Sequence, residues 1–340
     1  MDVMSFALRL AFGVAVLGVV VYVVDIGDTL AVLQNLALPL VLAAFACLLV
    51  TRFLVGFKWW LLLGGRRAAV SYPTVQRAIL LADYQGLLFP NTFAQDALRL
   101  VLLRHHPRGM TYMASTILAD RILNTMVAAG LALLGMAALW WLPTGIALTP
   151  VVVQTVVITA SLILLAGIAV MSDRLFRLAT TIARLILAHG PLRPVVERIL
   201  AKAAELHGST TAVLADPPTV VKAVGVSIAV VLFRIGLVYF LFAAAGTWLG
   251  PLPVLAVYPI IMLVVLLPIS ILGIGVQDTA FIFFFGGLGV AASLSLAVSM
   301  GVYAAILVVG LAAGLIAALV GPALPTSADG AGDGSRAAGR

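Results

Sequence analysis

Eight charged residues fall within long apolar stretches: Arg52, Asp83, Asp96, Arg99, Asp120, Arg121, Arg234 and Asp278. A charge at the centre of a bilayer costs about 2.5–3.5 kcal/mol even on insertion-based scales, so each needs a partner or a task. Arg234 is flanked by more than two turns of apolar residues on either side, which puts the interface out of its reach. It either binds an anion, such as a lipid phosphate gripped by the guanidinium, or pairs with Asp278 or another acid. Asp278 follows two glycines that admit a close backbone approach. It serves substrate or coupling, or it caps the helix that follows. Asp96 and Arg99 are three apart and can pair along one helix face. Asp120 and Arg121 are adjacent and point in different directions, so each must find a partner on another element. Arg52 and Lys58 stand near the end of an apolar run, where long side chains can snorkel to the interface. Snorkelling is the preferred reading for Lys58. Asp83 lines a cavity or faces the cytoplasm. Asn91, Ser270 and Gln277 are neutral polar groups beside chain breaks and join the candidate lining.

The motifs of familiar enzymes are missing. There is no His-Glu-x-x-His, no Gly-x-Ser-x-Gly, no phosphate-binding loop and no aspartate-rich prenyl-diphosphate motif. His105 and His106 read as a solvated loop, and His189 and His207 lack metal-ligand spacing, so no metal or cofactor is expected. One cysteine, Cys47, excludes a disulfide within the chain.

The elements that must position these residues are membrane helices. Of 340 residues 63% are hydrophobic and 10% charged, and the mean hydropathy is +1.20, a balance outside that of soluble domains. The net charge is +7, and 17 of the 20 basic residues are Arg, which points to cytoplasmic loops facing anionic headgroups rather than to nucleic acid. The chain is organised around Leu266-Leu-Pro268-Ile-Ser270-Ile-Leu-Gly273-Ile-Gly275-Val-Gln277-Asp278. Pro268 removes a backbone donor, and in lipid the freed groups need partners in protein or in a watery cavity. The stretch reads as the tip of a re-entrant hairpin. A second break falls at Pro90-Asn91, between Ala78–Phe89 and Thr92–Arg104, each half too short for the roughly 20 residues of a span. The hairpin-breaking residues are thus Pro90, Pro268, Gly273 and Gly275.

Full spans are expected over Phe6–Val24, Leu36–Trp60, Thr111–Trp141, Val151–Met171, Val220–Gly246 and Leu288–Val320. Asp25 and Asp28 follow the first, with no Lys or Arg until Arg52, and Trp248–Tyr258 reads as an uncharged outer loop. Arg174, Arg177 and Arg184 alternate with Leu175, Leu178, Ile182 and Leu185, which predicts an amphipathic helix on the inner leaflet, within a cytoplasmic insertion of about 173–216. Pro194 can start a second helix there. The tail, 321–340, reads as disordered. The expected fold is an all-α polytopic membrane protein with about six full spans and two re-entrant hairpins, or about eight hydrophobic segments. Basic loops place both termini in the cytoplasm of a bacterial-type cell membrane. Each half reads as span, span, broken hairpin, long span, and the second half enters from the opposite face. That is an inverted repeat, about 6–141 and about 151–320, within a transmembrane domain of 1–320.

Four places carry a family resemblance: Arg52 through Lys58-Trp59-Trp60; Leu88-Phe-Pro90-Asn91 with Gln95-Asp96-Ala97-Leu98-Arg99; Asp120-Arg121-Ile122 with Asn124; and Leu267-Pro268 through Gln277-Asp278. The chain resembles the lysylphosphatidylglycerol synthase transmembrane, or flippase-like, family. Gln277 stands where that family often has Arg, and Asp120, Asp278 and Asn124 replace longer or charged residues, so the cargo can differ. With no aminoacyl-transferase domain after Val320, no enzyme activity is expected. The resemblance implies movement of anionic phospholipids, aminoacyl-phospholipids or isoprenoid-linked lipids between leaflets. Two alternatives use the same sequence features: a secondary transporter of a small anionic solute, and a non-catalytic partner of a lipid or envelope biosynthesis enzyme docking through Asp173–Asp216. Small-residue patches such as Gly310 and Gly314 suit packing within the chain or a homo-oligomer.

Overall fold

The computed structural model describes residues 26–86, 92–104, 107–142, 148–187, 193–266 and 275–319, and all regular structure among them is helical. Five helices are long and apolar enough to cross a membrane: α2 (Leu38–Leu62), α5 (Gly109–Trp141), α6 (Pro150–Met171), α9 (Pro217–Ala244) and α12 (Ala292–Leu319). The shortest, α6, has 22 residues. At about 1.5 Å per residue it reaches roughly 33 Å, enough for a hydrocarbon core of about 30 Å. The span expected at Phe6–Val24 and the tail at 321–340 lie outside the described residues.

Proline sets the entry of these helices. Pro39, Pro150 and Pro217 sit in the first turns of α2, α6 and α9, where the missing N–H has no intrahelical acceptor to lose. The same rule corrects the expected outer loop at Trp248–Tyr258. Pro251 starts helix α10 (Pro251–Val265), Pro253 falls in its first turn, and the connection is only Ala245–Gly250. Residues after the expected first span are likewise helical, as α1 (Ile26–Gln34), which packs on α12.

Four of the shorter helices form two pairs. α3 (Tyr72–Gly86) and α4 (Thr92–Leu102) have 15 and 11 residues, and α10 and α11 (Val276–Gly286) have the same two lengths. The breaks between the members of each pair hold Pro90 and Asn91 in one case, and Pro268, Ser270 and Gly273 in the other. These five residues lie outside the described ones. Gly275, at the start of α11, has φ +80°, a conformation open to glycine and costly for other residues. α3 begins earlier than expected, so Arg77 is helical and its Nε donates to the Ala317 carbonyl on α12.

The packing has an internal exchange. α2 runs antiparallel to α9, with Ala37 N–H donating to Ala244 O (2.9 Å) at one end and Lys58 meeting Ser227 (3.1 Å) further along. α5 packs on α10, and α12 packs on α3. When α2 is exchanged with α9, α3 with α10, α4 with α11 and α5 with α12, the α2–α9 pair maps onto itself and every other packed pair among these eight helices maps onto a packed pair. The related interfaces α5–α10 and α12–α3 each use a glycine on the long helix. A Cβ on Gly135 would lie 2.7 Å from Ala256 N, and one on Gly314 would lie 2.5 Å from the Tyr84 ring.

Between α6 and α9, helices α7 (Asp173–Leu187) and α8 (Arg193–Leu214) form the insertion. α8 is longer than expected and packs along α5. The apolar stripe of α7, Leu175, Leu178, Ile182 and Leu185, is exposed, and so are Arg174, Arg177 and Arg184. His207 of α8 bonds Asp173 (2.9 Å) and stacks on Phe176, and Arg184 pairs with Glu197.

Candidate functional site

Most of the intramembrane charges converge on one place between α2, α3, α4, α5 and α9. Asp83 of α3 is 2% exposed and lies between two arginines, Arg52 of α2 (3.4 Å) and Arg99 of α4 (3.8 Å). Arg99 also meets Asp96 one turn back (3.4 Å), and Asp96 bonds Arg121 of α5. Beside this chain of pairs, Lys58 of α2 meets Asp120 of α5 at 2.9 Å. Its ammonium also donates to Ser227 of α9 (3.1 Å) and reaches Asn124 of α5 (3.5 Å). Adjacent positions on α5 thus face different partners: Asp120 turns to α2 and Arg121 to α4.

Snorkelling does not describe Lys58. Its side chain is 1% exposed and tied to two other helices. A buried ammonium beside a buried carboxylate needs no route to the interface. Arg52 likewise turns inward to Asp83. Asp83 lines the interior and does not face the cytoplasm.

Arg234, on α9, lies within electrostatic reach of Arg52, Asp83, Asp120 and Tyr258. Among the described residues it forms no ion pair and no hydrogen bond, and its Nε is buried without an acceptor. The pair with Asp278 is not formed. Asp278 sits in a separate knot at the start of α11. Gly275 N–H donates to its Oδ2 (3.0 Å) and the Ser299 hydroxyl to its Oδ1 (2.6 Å), while Gln277 Nε2 donates to Ser299 Oγ (3.2 Å). The capping role is therefore real, and it separates Asp278 and Gln277 from the charged cluster.

The cluster holds five cations, Arg52, Lys58, Arg99, Arg121 and Arg234, against three carboxylates, Asp83, Asp96 and Asp120, and is net positive by two charges. It is also short of hydrogen bonds. Both Asp83 oxygens are held by ion pairs alone, and the Nε atoms of Arg52, Arg99 and Arg234 are buried without acceptors. Buried polar groups are nearly always satisfied, so three such arginines in one place mark spare donors among the described residues. A diffuse anion with several oxygens, such as a phosphate or carboxylate, meets both needs.

Ser227, Ser299 and Tyr258 were not legible as site residues. Ser227 and Ser299 are single hydroxyls in apolar helices, a weak signal. Asn124 had a stronger one, since it lies four residues from Asp120 on the same face.

No curated protein and no solved structure is significantly similar to the chain. The family model described as the lysylphosphatidylglycerol synthase TM region matches residues 6–314. That span takes in every charge of the cluster and both pairs of short helices, and the chain belongs to this family of multi-pass membrane proteins.

Proposed function

We propose that the protein moves a lipid with an anionic headgroup between the leaflets of a membrane. One observation carries the reading: Arg234 is held mid-helix in a net-positive cluster and, among the described residues, has no acid of its own. A headgroup oxyanion would accept from the unoccupied Nε donors of Arg52, Arg99 and Arg234 while the acyl chains stay in lipid. The two pairs of short helices and their exchanged packing support a rocking motion of related halves around this site, as in transporters built from inverted repeats. The basic loop at Arg66 and Arg67 and the arginines of α7 favour a cytoplasmic insertion and cytoplasmic termini. The sequence family favours a role in lipid handling.

The test is lipid movement in proteoliposomes with labelled phosphatidylglycerol, an isoprenoid phosphate and a neutral lipid. Wild-type protein should move at least one of the anionic lipids faster than the neutral one. Arg234→Ala should cut that movement at least tenfold, since a charge-assisted bond of about 1.5–3 kcal/mol is lost. Its thermal stability should be unchanged or higher, because a half-buried charge without a counter-ion among the described residues is removed. Full transport by a folded Arg234→Ala protein sinks the proposal.

A further inference from the structure

The two polar sites occupy equivalent places in the exchanged packing, yet they differ in charge. α4 and α11 are related by the exchange, and each carries Gln-Asp in its first half: Gln95-Asp96 and Gln277-Asp278. Asp96 is neutralised by Arg99, three residues on, and by Arg121, 25 residues on. At the same spacings from Asp278 stand Phe281 and Tyr303. Asp278 is 2% exposed, and among the described residues no Lys, Arg or His pairs with it. The adjoining segment 267–274 contains no basic residue.

Among the described residues, the surroundings of Asp278 are uncharged on every side. From α12, Ser299 donates to it and the Tyr303 phenol lies within electrostatic reach. From α10, the one titratable side chain is Tyr258, which packs on Phe281 with ring centroids 6.0 Å apart. The start of α6, which meets the far end of α11 at Gly287, carries no charge. Those that donate to the carboxylate are an N–H and an O–H. A metal cation would need oxygens turned towards it, whereas a proton needs one carboxylate oxygen and a hydroxyl able to turn from donor to acceptor. A buried carboxylate without a counter-ion holds its charge on hydrogen bonds alone or takes a proton.

We propose that Asp278 is a proton-binding site, distinct from the anion site, and that its proton couples lipid movement to the pH difference across the membrane. This coupling rests on the translocase reading. The step is a proton transfer only. The Asp278 carboxylate takes one proton from water on one side, Ser299 Oγ turns to accept, and the proton leaves to the other side. A line of neighbours runs between the sites: Asp278 lies one turn from Phe281, Phe281 packs on Tyr258, and Tyr258 lies within electrostatic reach of Arg234.

Two measurements on the full chain test this. The first is pH-difference infrared spectroscopy of the protein in phosphatidylcholine vesicles. A titrating carboxyl band should be present in wild type and missing in Asp278→Asn. The second is the rate of labelled phosphatidylglycerol movement, in vesicles of phosphatidylcholine with phosphatidylglycerol, with and without a gradient of one pH unit. One proton per lipid makes such a gradient worth up to about tenfold. Wild type should show a clear ratio, and Asp278→Asn should bring the ratio to one whatever its absolute rate. No Asp278 band in wild type, or a wild-type ratio kept by Asp278→Asn, overturns the proposal. If Asp278→Asn does not fold, Ser299→Ala replaces it. Loss of the hydroxyl should move the midpoint pH of the band, and an unmoved midpoint counts against the site. If no lipid moves in wild type, the translocase reading and the coupling fall together, while the infrared band still decides the proton site.

Discussion

At the scale of single residues, the membrane interior makes each charge accountable. Arg52, Asp83, Arg99, Asp96 and Arg121 solve the problem by sharing partners, and Lys58 and Asp120 solve it as a pair. Removing one member of a buried pair leaves the other uncompensated, whereas replacing both by apolar groups is close to neutral. Lys58→Ala should therefore cost about 3–5 kcal/mol, seen as a lower unfolding temperature in detergent. Lys58→Met with Asp120→Leu should recover most of that loss. If the double variant is no better than the single one, the pair does not carry the stability assigned to it. Arg234 differs because, among the described residues, no acid is paired with it. Its substitution should affect transport and leave folding intact, which separates a binding charge from a structural one.

Among helices, α5 meets α10 backbone to backbone. Gly135 brings the α5 backbone against Leu255 and Ala256, and Pro259 on α10 leaves a carbonyl one turn back without its helical donor. Small residues that let backbones meet are a main source of helix association in lipid, where no hydrophobic force acts between helices. Gly135→Ala should destabilise by about 1–3 kcal/mol, as expected for overpacking. Gly130 lies on the same helix with nothing within 4 Å of an added Cβ. There, Gly→Ala should stabilise by up to about 1 kcal/mol through helix propensity. Opposite shifts in unfolding temperature from two substitutions five residues apart would locate the contact. Shifts of the same sign would contradict it.

On the scale of the whole molecule, α2 and α9, which the exchange swaps, run antiparallel, so these two helices cross in opposite directions. α6 carries the chain back before α7 and α8, so α9 rises where α2 descends. The consequence is a topology open to labelling. In a chain whose Cys47 is replaced by Ala, Trp141→Cys and Trp248→Cys should react with an impermeant thiol reagent on intact cells. Arg66→Cys and Arg184→Cys should react only in inverted vesicles. Labelling of all four from the same side would contradict the crossing order.

The sequence by itself determined the class of the protein and the order of its elements. Apolar runs of span length, the Pro90 and Pro268 breaks and the basic loops are local properties, and lipid makes local hydropathy decisive because a spanning backbone must satisfy itself as helix. The family was legible for the same reason, since its motifs lie at helix ends and breaks. Boundaries near proline were misread at Trp248–Tyr258, because a proline that ends one helix and a proline that begins the next look alike until the preceding turn is seen. The partners of the charges were decided by tertiary structure alone. Arg234 and Asp278 are the obvious pair on paper, yet α9 turns Arg234 towards α2 and α3 while α11 turns Asp278 to Ser299. Hydropathy assigns depth in the membrane. Which helix faces which depends on side-chain packing between segments far apart in the chain, and that alone set a net-positive cluster apart from a carboxylate that no cation pairs with among the described residues.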